Sequence, residues 1–234
     1  MAVLSLATYD DLIASINSQG GFMHRNDLAD VLPVAVQMCE TTINYGDGDQ
    51  LDGLRVAAQE TVTTLTCTPG TQTVALPTDW LEIRRIYITV SGIRRELKGR
   101  PVAPISVTDA AVVQSIPETF FIQGRNLYLD PIPNSAFPIT LDYYAAVGPL
   151  ATQGTNWLLT AAPIVYLAGT ILHMAPWMGP TFNADPWAKG FAVGMKQVQS
   201  QDSSRYANIR LRSEVASMVG NGAGYGWGNF LAGT

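Results

Sequence analysis

The fold is decided by residues 60–97, ETVTTLTCTPGTQTVALPTDWLEIRRIYITVSGIRREL. Thr, Val and Ile dominate this stretch and turn-forming residues interrupt it at short intervals, the composition of strands laid in a half-buried pleated surface. It predicts four strands, Glu60 to Thr68, Thr71 to Leu76, Leu81 to Val90 and Ile93 to Leu97, separated by Pro69-Gly70, Pro77-Thr78-Asp79 and Ser91-Gly92. Connections this short favour meanders and hairpins over crossovers, so the sheet is expected to be antiparallel. Downstream, strands are predicted at Thr119 to Ile122, at Leu127 to Leu129 beyond the turn Gly124-Arg125-Asn126, and at Ile139 to Ala145 beyond Pro131 and Pro133. Between the two groups, Arg100 to Gln114 is read as a short helix over Val107 to Val113, with a loop packed on the sheet as the alternative.

On either side of this region the periodicity changes to that of helices. Thr8 caps a helix in which Asp11 suits the positive N-terminal end and Leu12, Ile13 and Ile16 form one apolar face, ended by Gly20-Gly21. After Asn26, residues Leu28, Val31, Leu32, Ala35, Met38, Cys39 and Ile43 recur at helical spacing, and Pro33 is expected to divide them into a short turn and a longer helix. On the C-terminal side, Thr160 and Pro163 are expected to open a helix buried almost all round (Ile164, Val165, Leu167, Ala168, Ile171, Leu172, Ala175), with Pro176 closing it just beyond His173. Asp185 then caps a second helix with Pro186 in its first position, and Trp187, Phe191, Met195 and Val198 form a stripe facing the first. The final fifteen residues contain six glycines interleaved with Tyr225 and Trp227, a composition that forms no core of its own. Tyr225, Trp227 and Phe230 are candidate anchors on a neighbouring subunit, because aromatic side chains dominate interface contacts; a free terminus is the alternative. The expected fold is therefore α+β. N-terminal helices over 1–55 and a C-terminal αα-hairpin over 151–202 form a helical body, an antiparallel β-domain over 56–150 is inserted in it, and an extended glycine-rich tail spans 203–234.

Charged residues make up 14% of the 234, against roughly 25% in ordinary soluble chains. Either part of the surface is hidden in an assembly, where charge is depleted, or Thr, Gln, Asn and Ser provide solubility instead. A net charge of -5 argues against a sequence-independent DNA binder, which needs cations to displace counterions, but suits the wall of a DNA conduit, which should repel the duplex. Cys39 and Cys67 lack metal-ligand spacing and read as buried hydrophobes; no signal peptide, membrane span or membrane partner is expected.

Catalytic chemistry finds little to use. His24 and His173 are the only histidines and neither sits in a ligand-spaced cluster, so no metal and no cofactor is expected. Gly222-Ala223-Gly224-Tyr225-Gly226 lacks the flanking strand, helix and Lys-Ser/Thr of a phosphate loop. Asp79 and Glu82 are an acid pair of the kind a glycoside hydrolase uses, but acids at a strand entry are commonplace, and no enzyme is expected. Arg84, Arg85, Arg94 and Arg95 flank a predicted hairpin and form a candidate basic patch toward phosphate or an acidic neighbour, with a solvated, ion-paired hairpin face as the alternative.

The order of several phrases resembles one family. They are Thr8-Tyr9-Asp10-Asp11-Leu12-Ile13, Arg25-Asn26-Asp27-Leu28-Ala29-Asp30 leading to Pro33, Val74-Ala75-Leu76-Pro77-Thr78-Asp79-Trp80-Leu81-Glu82, Leu127-Tyr128-Leu129-Asp130-Pro131 with Pro133, Leu141-Asp142-Tyr143-Tyr144, and Asn156-Trp157-Leu158-Leu159 before Ala162-Pro163. Together they resemble the head-to-tail adaptor, or head-completion, proteins of short-tailed and related phages. The resemblance implies a structural virion protein at the head-tail junction, made in the host cytoplasm. It implies a dodecameric homo-oligomeric ring beneath the portal protein, contact with tail nozzle, hub or fibre proteins, and double-stranded DNA passing through the lumen without sequence-specific binding. Two other readings are a tail-nozzle or tail-tube protein and an adaptor with cell-wall hydrolase activity.

Overall fold

The computed structural model describes residues 6–18, 28–49, 51–101 and 114–201. The helix predicted over Val107 to Val113, the Gly20-Gly21 stop, His24, the Arg25-Asn26-Asp27 phrase and the tail with Tyr225, Trp227 and Phe230 lie outside these residues.

Helix α1 (Tyr9–Ser18) starts as its sequence directs. The Asp11 amide donates to Thr8 Oγ1 at 3.2 Å and the Thr8 amide donates back to Asp11 Oδ2 at 3.0 Å, so two orphan donors are satisfied reciprocally. Helix α2 (Val31–Tyr45) is continuous. Pro33 does not divide it but sits third, inside the first turn, where a missing N–H has no helical acceptor to lose. Met38 departs from the expected core face and is 40% exposed, whereas Leu32, Ala35, Val36, Cys39 and Ile43 are buried.

A 3₁₀ turn (Ala57–Gln59) leads into the strands: β1 (Glu60–Thr66), β2 (Thr73–Ala75), β3 (Trp80–Val90), β4 (Ile93–Glu96), β5 (Lys98–Gly99), β6 (Gln114–Ser115), β7 (Thr119–Gln123), β8 (Asn126–Asp130), β9 (Ile132–Pro133) and β10 (Pro138–Ala145). The expected hairpins β3–β4 and β7–β8 form, yet the sheets are not simple meanders. One sheet has the order β1-β10-β3-β4 and the other β2-β8-β7-β5, while β6 and β9 make a short parallel pair. Alternation in sequence reveals that a segment is a strand but not which distant strand it joins.

Strand β3 carries two extra residues relative to β10, Arg84 and Leu81, where the register shifts. The bulges keep the inward set in phase: Ile88, Ile86, Ile83 and Trp80 face the same side as Ile139, Leu141, Tyr143 and Ala145. With Val74, Leu127 and Leu129 from the other sheet they build one apolar core.

The chain continues through α3 (Leu150–Gln153), α4 (Trp157–Ala161), α5 (Pro163–Met178) and a helix over 185–201, α6. Thr160 is not the cap: the Leu159 amide donates to Asn156 Oδ1 at 2.9 Å, and the Thr160 hydroxyl donates to the Asn156 carbonyl. Pro176 does not close α5, which runs on two residues to Met178 and stops at Gly179, whose φ of +88° favours glycine. His173 therefore lies within the helix and not at its end. Asp185 is the first helical residue of α6, and the Ala184 carbonyl accepts from the Trp187 and Ala188 amides. Gly169 of α5 faces Cys39 and the Phe191 ring, and Gly194 of α6 faces Val165, so each marks a close approach that a methyl group would obstruct. These helices and α1 and α2 share a second core that includes Leu12, Ile43, Leu158, Tyr166, Phe191 and Met195.

Candidate assembly surface

A polar joint connects the two cores. Glu40 and Asn44, one turn apart on α2, grip the segment that leaves β10. Asn44 accepts from the Val147 amide at 2.8 Å and donates to the Val147 carbonyl at 3.3 Å, and Glu40 accepts from the Leu150 amide at 2.7 Å. Burial pushes the Glu40 carboxyl above the usual carboxylate range, against the opposing effect of the Leu150 amide. Arg55 donates to the carbonyls of Asn44 and Leu54 and pairs with Glu82 of β3 at 3.0 Å. The amide of Gln59 reaches the Ala145 carbonyl at 3.2 Å. Asn156 donates to the Gly148 carbonyl and to the Tyr166 hydroxyl, while it caps α4.

The acids considered for hydrolysis are both engaged in structure. Asp79 accepts from the Tyr143 hydroxyl at 3.1 Å, and burial together with this carboxylate pushes the Tyr143 phenol up to about 12. Glu82 holds Arg55. His173 contacts the Thr42 hydroxyl at 3.1 Å and burial lowers its pKa, favouring the neutral ring. Cys39 and Cys67 are free and buried, and desolvation pushes the Cys39 thiol up. No group of three metal-ligating side chains occurs among the described residues.

The four arginines do not form one patch. Arg85 faces outward by ordinary alternation with the inward Ile86 and Ile88, and the bulge turns Arg84 to the same outer face. There Arg84 pairs with Glu60 at 2.8 Å and Asp142 at 3.4 Å and lies over the Tyr144 ring, 5.4 Å from its centroid. Arg85 donates to the Tyr87 hydroxyl, and Arg94 lies over the same Tyr87 ring at 6.0 Å, so these two share a site. Arg95 pairs across from Ile88 and belongs to the opposite face.

Two surfaces were not anticipated from sequence. Val34, Met38 and Tyr45, at i, i+4 and i+11 on α2, form an exposed uncharged stripe, with Tyr45 67% exposed. A groove of about 360 Å³ lies between α4, the start of α5 and the end of α6, lined by Val56, Trp157, Pro163, Ile164, Val198 and Gln201. Helical spacing in the sequence held the signal for the stripe, but which side of α2 is covered depends on α5.

These features define an α+β protein whose notable groups serve packing and surface contact. The SU10 adaptor protein family matches residues 7–212, and the chain belongs to this family of phage head-to-tail adaptors. No curated protein matches it closely enough to add a named relative. No described helix is long and apolar enough to cross a membrane.

Proposed function

We propose that the protein is a structural virion component that forms the head-to-tail adaptor ring beneath the portal, extends the DNA channel and gives the tail its attachment platform. The family match over residues 7–212 is the observation that carries this reading. In it, a dodecameric ring of this chain contacts portal protein on one side and nozzle, hub or fibre proteins on the other, and the role is geometric: repeated self-complementary contacts close a ring and require no catalysis. The net charge of -5 supports passage of duplex DNA without adhesion. Segments 1–55 and 151–202, the latter an αα-hairpin, form the body, 56–150 forms the β-domain, and 203–234 is an extended portal anchor docked through Tyr225, Trp227 and Phe230. Of the basic patch Arg84, Arg85, Arg94 and Arg95, the pair Arg85 and Arg94 around Tyr87 is the contact offered to phosphate or an acidic neighbour.

The test is co-sedimentation with portal rings. Truncation after Ser203 should weaken or abolish it, and unchanged binding would remove the anchor from the proposal. Averaged virion images should show one ring of this chain touching the portal; a position further down the tail would overturn the adaptor role and leave a nozzle or tube protein.

A further inference from the structure

The sheet β1-β10-β3-β4 ends in two strands that each have one strand partner among the described residues. Strand β1 pairs with β10 through seven residues without a register shift, and it contains no Lys, Arg, Pro or Gly. Natural sheets rarely leave an edge so regular, because unpaired N–H and C=O groups along a flat strand recruit another strand. Val62 on this edge is 65% exposed. At the other end, all four residues of β4 are exposed, with Ile93 at 61%.

The two edges complement each other. All neighbours in the sheet are antiparallel, so β4 runs opposite to β1, and β4 of another copy laid against β1 continues the sheet with unbroken antiparallel alternation. One register also joins like faces. Ile93, opposite Val90, lies on the core side, as does Leu65, opposite Ile139; Arg94, opposite Thr89, and Thr64, opposite Thr140, lie on the outer side. Setting Ile93 beside Leu65 places Arg94 beside Thr64 and Glu96 beside Val62, which covers the exposed isoleucine and pairs β4 along its whole length.

We propose that β1 of one copy receives β4 of the next, so that subunits join through a shared antiparallel sheet. A contact between two different edges is heterologous and repeats at every subunit, as a closed ring requires, whereas β1 against β1 would stop at two chains. The inference rests on the ring reading and assigns its subunit contact.

Interchain disulfides test it in the full-length chain. Directly opposed strand residues have Cα atoms about 4.5–5.5 Å apart, within disulfide range. Native background is low because Cys39 and Cys67 are buried. Arg94→Cys protein is mixed in turn with Val62→Cys, Thr64→Cys and Thr66→Cys, the three outward positions beyond Glu60, assembled, oxidised and run without reductant. A linked pair of chains should form in the Thr64→Cys mixture and in neither variant alone, and the Thr64→Cys/Arg94→Cys double variant should give a ladder of linked chains. Rings visible by electron microscopy with no link at any of the three positions, or Thr64→Cys linking to itself, would overturn the strand pairing and leave the ring intact. A chain that stays single, both free and with portal rings, would overturn the ring reading and this inference together.

Discussion

Replacing Asn44 with alanine tests the joint between the two cores. The side chain makes two hydrogen bonds to one residue, accepting from the Val147 amide at 2.8 Å and donating to its carbonyl at 3.3 Å, and both residues are buried. Asn44→Ala leaves a buried N–H and a buried C=O without partners. Each orphaned group costs about 1–3 kcal/mol, and since the 3.3 Å bond to the carbonyl is the longer and weaker of the two, the sum is about 2–4 kcal/mol. For a chain of this length 1 kcal/mol moves Tm by roughly 2–4 °C, so Tm should fall by roughly 5–15 °C. Asn44→Asp keeps an acceptor for the Val147 amide but turns a buried carboxylate toward the Val147 carbonyl, so its Tm at neutral pH should fall at least as far. Differential scanning calorimetry gives Tm, and amide hydrogen exchange at Val147 and Leu150 shows whether the loss is local. A fall of under about 2 °C in the alanine variant, with exchange at Val147 unchanged, would refute the joint as a structural element.

Other outcomes follow from the same physical chemistry. Because burial raises the folded-state pKa of Glu40, the folded chain keeps a proton that the unfolded chain releases; this contribution is complete below the ordinary carboxylate range and is lost as pH rises through the folded value. Glu40→Gln keeps an oxygen for the Leu150 amide, so its Tm relative to the parent should increase as pH rises across that window; a constant difference would refute the assignment. Gly169→Ala forces a methyl group into Cys39 Sγ and to 2.9 Å from the Phe191 ring, and should destabilise by about 1–3 kcal/mol in chemical denaturation. Arg84→Met should change stability by less than about 1 kcal/mol in the same assay, since its ion pairs are partly exposed and screened.

Much of the fold was legible because it depends on local chemistry. The Thr8 cap, the strand segments, the two short hairpins and the inward stripe of Phe191 and Met195 all follow from neighbours within a few residues. What failed depended on distant partners. Nothing near β1 in sequence indicates that it joins β10, and the bulges at Arg84 and Leu81 exist only because β3 must match β10 while keeping Ile83 and Trp80 inward. The bulge brings Arg84 to the outer face with Arg85, while the β3–β4 register puts Arg94 on that face and Arg95 on the other, so two adjacent arginine pairs become an ion-paired residue, a pair around Tyr87 and a residue on the opposite face. Met38 was misassigned because a helix with apolar residues on two sides does not say which side its neighbour will cover. Nothing near Asn44 and Glu40 in sequence marks their role, which depends on a segment about a hundred residues away.

The scarcity of charge also acquires a physical meaning. Several of the cations are already occupied within the subunit: Arg55 by Glu82 and two carbonyls, Arg84 by Glu60 and Asp142, Arg100 by Asp130, and Arg125 by the Thr78 carbonyl. Charges held this way fix the sheet and its joint to the helices, and contribute little long-range attraction to a partner. The backbone edges of β1 and β4, the uncharged stripe on α2 and the groove beside α6 offer contact that does not depend on charge. Backbone pairing and apolar burial are short-ranged and only weakly screened by salt, so subunits using them recognise one another by shape and register instead of by electrostatic steering. In the proposed ring, such contacts would let subunits associate at an acidic net charge without opposite charge between them.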